Sequence, residues 1–347
     1  MLPEAEELLV LVAAGLVFAF VFAPTAISRR SLVIQGGAGV VAGAAIAVVP
    51  TFDLALLVLL ALGTVDAAVG GLRTFAVRMR APMVAVGIFA LALVFLRVVG
   101  PDVLARFASV GLVAGLAAAV GLLPFIHPFE ADEATPASPL VWTVFVGPLL
   151  ATVVVARGQS FIPVDASDAF GAMLIGVGLL NMAWGSIAAW LTASKDAAWR
   201  YSFLADWGLV LCGFGLTLLD GRRAAMLVMF SIVTCRLPLY LVAREPAEKR
   251  PPTEGPLNLL VAAALAGSAP FVGFAARVLL LRGATQLFWP LALVIAIAML
   301  MWLPGSLRLG RSMGLPRGRQ ALGVAIVLAV NVAAGLYPLP LLTVAGL

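Results

Sequence analysis

Apolar residues in this chain come in long blocks, without the alternation of a half-buried strand or the narrow stripe of a water-facing helix. The blocks predict spans at about 6–27, 31–50, 53–71, 81–100, 104–124, 139–156, 169–193, 202–219, 224–243, 257–281, 287–304 and 320–337. Each is close to the roughly 20 residues a helix needs to cross the hydrocarbon core. Strands of a membrane barrel would alternate apolar and polar residues over short segments. The pattern therefore predicts an all-α integral membrane protein of about 12 transmembrane helices. The breaks carry turn or charge chemistry, among them SRR, PTFD, RTFAVRMRAP, VVGPD, SKDAAWR and DGRR. None is long enough to hold a soluble domain.

Composition sharpens this picture. Of 347 residues 63% are hydrophobic and 11% charged, against about 25% charged in soluble chains. Such a surface suits lipid, where backbone groups must be paired internally. The net charge of +5 is spread over short loops without interleaved aromatics, which argues against nucleic-acid binding. One histidine, and two cysteines within apolar runs (Cys212 and Cys235), make no metal or haem motif. No nucleophile constellation, P-loop or dinucleotide fingerprint is present. The glycine-rich stretch 36–45 lies in an apolar run, where small residues permit close helix packing. No cofactor and no catalytic site are expected, so any enzyme activity would belong to a larger assembly. The acidic start MLPEAEELL lacks a signal peptide's basic region, so the first span is read as retained.

Lysine and arginine set the orientation. With the N-terminus outside, the inner loops hold fourteen of the 22 basic residues and the outer loops six. Arg236 and Arg277 remain inside spans. The bias places both termini on the outer side.

Charges within spans are the main functional pointers, because each costs a few kcal/mol at a helix centre. Asp66 lies centrally in the third span, a place for a buried, partnered acid. Asp206, near the start of the eighth, reads first as an N-cap or interfacial residue. Arg236 is flanked by apolar residues on both sides. Arg277 follows a proline break, and snorkelling would account for it equally well. His127 sits in FIHPFEADE, beside the acidic loop of Glu130, Asp132 and Glu133, which is either solvated or a docking surface.

A short pattern recurs. Gly121-Leu-Leu-Pro124-Phe125 returns as Gly267-Ser-Ala-Pro270-Phe271, 146 residues later, and each proline breaks a helical ladder. Paired interrupted helices mark many transporter folds, although G-x-x-P-F also recurs by chance in a chain this rich in glycine and proline.

Four stretches, in order, resemble the antiporter-like, proton-conducting membrane subunits of complex I, membrane-bound hydrogenases and Mrp antiporters. They are GLLPFIH (121–127) with ATPASP (134–139), KDAAWRYSFLADWG (195–208), FSIVTCRLPLYL (230–241) and AGSAPFVGFAARVLLL (266–281). The resemblance covers about residues 50–305. It implies two inverted five-helix repeats with a broken helix in each, over 31–156 and 169–304, flanked by helices in 1–30 and 320–347, in a shortened version of the fold.

The resemblance also implies an ion pathway, with candidates Asp66, Asp206, Arg236, Arg277, Lys195 and His127 and helix breaks at Pro124 and Pro270. Here the sequence departs from the family. Its relay lysines fall on about Ala119, on Val146 or Gly147, and on Arg236 and Arg277, and its glutamate near Leu62, one turn before Asp66. Arginine keeps its proton and relays poorly. The arginines would instead pair with Asp66, Asp206 or a neighbouring chain's carboxylate.

The expected function is a membrane-arm subunit of a multisubunit ion-translocating complex, redox-driven or coupled to another soluble module. The alternatives are a non-conducting structural subunit of such a complex and a stand-alone secondary transporter. Implied partners are other membrane subunits, a peripheral soluble module and lipid, in a prokaryotic cytoplasmic membrane.

Overall fold

The computed structural model describes residues 29–49, 51–69, 71–98, 101–125, 147–159, 167–243, 255–316 and 318–344. The expected first span, the acidic loop after Phe125 with His127, and the first part of the sixth span lie outside these residues. Among the described residues the ordered structure is helical, as the apolar blocks predict.

The first compact unit runs through Val177 and the second from Gly178. In the first, α1 (Arg29–Val48), α2 (Phe52–Val69), α3 (Leu72–Val98), α4 (Pro101–Val120) and α5 (Gly147–Gln159) pack as neighbours. The boundary of α3 differs from the expected one. RTFAVRMRAP, taken as a break, is helical and carries Pro82 inside α3. The turn is made instead at Gly71, whose φ is 90°. A glycine adopts that conformation freely, while arginine, alanine and methionine favour continuing the helix.

The second unit holds most of α6 (Ser167–Leu191), then α7 (Lys195–Gly215). Next comes a 25-residue span, Leu219–Ala243, made of α8 (Leu219–Ser231), a π turn (Ile232–Arg236) and α9 (Leu237–Ala243). It continues with α10 (Pro256–Ala266), α11 (Val272–Leu287), α12 (Trp289–Ser312), α13 (Arg319–Leu336) and α14 (Leu339–Val344). The Leu219–Ala243 span is the centre of this unit, with 89% of its apolar window buried against 33–44% for the other long spans. Outward faces carry large apolar residues such as Leu293, Val294, Ile297 and Leu300 on α12, a surface suited to lipid. Five of the described helices are long and apolar enough to cross a membrane, and shorter apolar helices accompany them.

Contacts at the helix ends test the alternation of spans in this unit. At one end Lys195 Nζ, at the start of α7, donates to the Ala243 carbonyl at 2.7 Å, and Arg308 of α12 donates to the carbonyls of Ala189, Trp190 and Ala193. Asn258 Nδ2, at the start of α10, donates to the carbonyls of Gly310 and Gly314. At the other end Arg282 pairs with Asp220 at 3.1 Å. Starts of α7 and α10 thus meet the ends of α6, α9 and α12, as an up-and-down bundle requires. Close approach of α6 and α7 rests on small residues. A Cβ on Gly208 would meet the Gly178 carbonyl at 2.6 Å, and one on Gly185 the Tyr201 carbonyl at 2.6 Å.

Helices α4 and α10 both end where the sequence predicts a break, and the turns that follow them close alike. At the first, Gly121 N–H donates to Ala118, Leu122 to Ala117, and Phe125 to Leu122. At the second, Gly267 donates to Ala264, Ser268 to Ala263, and Phe271 to Ser268. Each bond reappears 146 residues on. Gly121 (φ 78°) and Gly267 (φ 61°) are both left-handed, the helix ending that glycine permits. Pro124 and Pro270 each follow a cis bond.

Candidate functional site: a charged centre at the second helix break

Ending α10 at Gly267 leaves carbonyls without a helical partner. Gly267 and Ser268 satisfy those of Ala263 and Ala264. Leu265, the next in line, points its oxygen into the unit's interior, where two donors reach it: Arg236 Nη2 at 2.8 Å and Trp302 Nε1 at 2.9 Å. A helix C-terminus is a negative pole and favours a cation there.

Arg236 arrives there from the π turn. Pro238 has no N–H and its ring crowds the carbonyl four residues back. The turn widens, Leu237 N–H bonds to Ile232, and the Thr234 carbonyl receives Asn331 Nδ2 instead. Arg236 stands on the last residue of this turn, 2% exposed. Its guanidinium meets Asp206 through Nε and through Nη2 at 3.1 Å, and Nη1 donates to Ser202 Oγ at 3.0 Å. Its carbon Cζ lies 4.6 Å from the ring centroid of Trp302, a cation–π distance. Ser202 and Asp206 are one turn apart on α7, so both face the same side.

Asp206 is therefore no helix cap. It lies in mid-helix and is 6% exposed, because α7 starts at Lys195 with Ser194 as N-cap, several residues earlier than the apolar block suggested. The charged stretch KDAAWR is the first part of α7.

Arg277, one turn into α11, folds its guanidinium back over Gly267. A Cβ there would meet its Cζ at 2.8 Å. Arg277 also lines a small cavity with Asp206, Ser231, Arg236, Gly267 and Gly273. The centre sits about halfway along its helices, since Asp206 is 11 residues from the start of α7, or about 16 Å at 1.5 Å per residue.

Of the sequence candidates, Asp206, Arg236, Arg277 and the Pro270 break converge here. Lys195 does not: it binds the Ala243 carbonyl at the bundle end. Asp66 belongs to the first unit, buried on α2 on the same face as Leu62. Pro124 lies in the turn that ends α4, and Ala119 before it is buried. Ser202, Trp302 and the Leu265 carbonyl were not foreseen. Ser202's four-residue spacing from Asp206 was the available signal, while Trp302 lies in an uninterrupted apolar block. Cys212 and Cys235 are both buried free thiols. Among the described residues no cluster of histidine, cysteine or acid could hold a metal.

No family model and no curated protein sequence matches the chain. Solved structures do match. A chain in the structure of the Mrp complex from Dietzia sp. DQ12-45-1b aligns with a TM-score of 0.77 at 14% identity, covering 98% of this chain and 44% of that one. A chain of the membrane-bound sulfane sulfur reductase, an archaeal respiratory membrane complex, aligns with a TM-score of 0.72 at 14% identity, covering 94% and 63%. A chain of respiratory complex I from Thermus thermophilus aligns with a TM-score of 0.60 at 13% identity, covering 96% and 98%. This chain thus spans less than half of the Mrp chain and under two thirds of the reductase chain. It has the fold of antiporter-like, complex I-type membrane subunits, and it is an integral membrane protein.

Proposed function

We propose that this chain is a membrane-arm subunit of a multisubunit ion-translocating assembly, and that its second half holds a fixed ion pair and does not relay protons. The fold and its occurrence in multisubunit membrane complexes support the first part. The carrying observation for the second is Arg236, whose guanidinium is engaged by Asp206, Ser202 and the Leu265 carbonyl together. A relay group must release and regain a proton. Arginine does not release one, and a guanidinium held on several sides cannot turn toward a new acceptor. By the family resemblance, Arg236 and Arg277 stand where relay lysines would.

The twin turns at Gly121 and Gly267 support the reading of two repeats, 31–156 and 169–304. The lysine and arginine bias supports the Lys195–Ala243 end facing the cytoplasm of a prokaryotic cell. Asp66 remains the candidate acid for ion movement in the first half. Partners would be other membrane subunits, through them a soluble module, and lipid.

The test is purification from native membranes in mild detergent, with identification of what accompanies the chain. Co-purification with complex I-like, hydrogenase-like or Mrp-like subunits is expected. A single species without partners overturns the assembly reading in favour of a stand-alone transporter. Within an assembly, Asp206→Asn is expected to lower the amount of complex while leaving ions moved per assembled complex unchanged.

A further inference from the structure

Two parts of the charged centre are not regular helix: the π turn that carries Arg236, and the break that frees the Leu265 carbonyl. An interrupted ladder leaves backbone groups to be satisfied from elsewhere, so neither part is fixed by its own helix. They belong to different spans, yet Arg236 bridges them at 2.8 Å. A shift of about 1 Å between them would carry that contact out of hydrogen-bonding range.

Helix α13 touches both parts. It packs against the π turn and α9, and also against α10 and α11, the two arms of the break. At the break the contact is backbone on backbone. A Cβ on Gly335 would meet the Val272 nitrogen at 2.6 Å and would also collide with the Pro270 carbonyl oxygen. One turn earlier, on the same face of α13, Asn331 is 1% exposed. Its Nδ2 donates to the Val327 carbonyl of its own helix at 2.9 Å and to the Thr234 carbonyl in the π turn at 3.4 Å.

The stability of α13 does not account for an asparagine there. Its Oδ1 is buried without a hydrogen-bond partner among the described residues, a cost that an apolar side chain of similar size avoids. A polar side chain inside a span is explained by its target, and here the target is the π turn. The bond to Thr234 is long, so it depends on how deeply α13 is seated. Gly335 sets that depth, because a residue without a side chain lets the two backbones meet.

We infer that α13 is the brace of the charged centre, with Asn331 and Gly335 as positioning residues. Gly335 seats α13 on the break, and Asn331 holds the π turn to it, so that Arg236 reaches the Leu265 carbonyl. The brace lies beyond residue 304, where the proposed second repeat ends, so the geometry of the centre is set by a helix outside that repeat. The inference stands on contacts within this unit, and failure of the assembly reading leaves it untouched.

The native thiols supply the test, in the purified full chain in mild detergent. Cys235 lies in the π turn and Cys212 on α7 against Gly178, and both are buried. Cys212→Ser leaves Cys235 as the reporter, and Cys235→Ser leaves Cys212. A buried thiol reacts with N-ethylmaleimide only while its segment is open, and Asn331→Leu is expected to speed Cys235 by about tenfold or more while leaving Cys212 unchanged. Asn331→Gln keeps the amide donor and is expected to hold Cys235 near its native rate. Gly335→Ala is expected to act as Asn331→Leu does; should it fail to fold, the Asn331 variants decide. If Asn331 acts through Arg236, the change in melting temperature caused by Asn331→Leu differs by several degrees between the native and Arg236→Gln backgrounds. An unchanged Cys235 rate in Asn331→Leu, an equal rise at both thiols, or equal melting shifts in the two backgrounds overturns the inference.

Discussion

Arg236 and Trp302 reach the same acceptor, the Leu265 carbonyl oxygen, at 2.8 and 2.9 Å, and the guanidinium also lies over the indole face. Two helices are thus tied to the end of a third through one backbone atom. Trp302→Phe keeps an aromatic face but loses the hydrogen bond, and is expected to cost about 1 kcal/mol. Trp302→Leu also loses the cation–π contact and is expected to cost a further 1–2 kcal/mol. Unfolding in mixed detergent micelles measures both, and equal losses would refute the stacking contribution.

The Asp206–Arg236 pair is expected to show strong coupling. Removing one partner leaves the other charge buried, which costs about 3–5 kcal/mol. Asp206→Asn and Arg236→Gln should each destabilise by that order, and the double variant by much less than their sum. Additive losses in a double-mutant cycle would mean that the two groups stabilise the fold independently.

Gly267→Ala should be severe for two reasons. The residue is left-handed at φ 61°, a conformation costing about 1–2 kcal/mol once a Cβ is present. The new methyl would also displace the Arg277 guanidinium. Gly37→Ala in α1 is the contrasting case, since a Cβ there meets nothing within 4 Å. It should be neutral or stabilising by up to about 1 kcal/mol. Thermal unfolding of the two variants side by side checks the difference.

Orientation can be tested with introduced thiols, as both native cysteines are buried. Ala193 and Thr217 are exposed, at opposite ends of α7. In intact cells an impermeant maleimide is expected to label Thr217→Cys and to spare Ala193→Cys until the membrane is opened. The reverse pattern would invert the orientation read from lysine and arginine.

Long features were legible in the sequence because they follow from lipid as solvent. Apolar blocks located the helices, and G-x-x-P-F located the turns that end α4 and α10. Helix ends were less legible, because a helix outlasts its apolar block. KDAAWR and RTFAVRMRA are charged yet helical, with turns made by Ser194 and Gly71 instead. Arg236 and Asp206 stood out as charges in apolar surroundings, but their pairing did not. Thirty residues separate them, and the π turn that aims Arg236 depends on Pro238 within an otherwise smooth span. Trp302 gave no signal, because tryptophan in a lipid-facing run looks the same whether or not its N–H has a task.

The acceptor at the heart of the charged centre belongs to the main chain. Position 265 could carry almost any apolar side chain and still present the same oxygen, because that oxygen is freed by the left-handed glycine two residues later. The negative pole is thus a fixture of the backbone and the cation a tenant. A guanidinium or an ammonium could occupy it in turn without the host being rebuilt. Such a chain could exchange a mobile proton carrier for a permanent charge, or the reverse, through substitutions at position 236 alone.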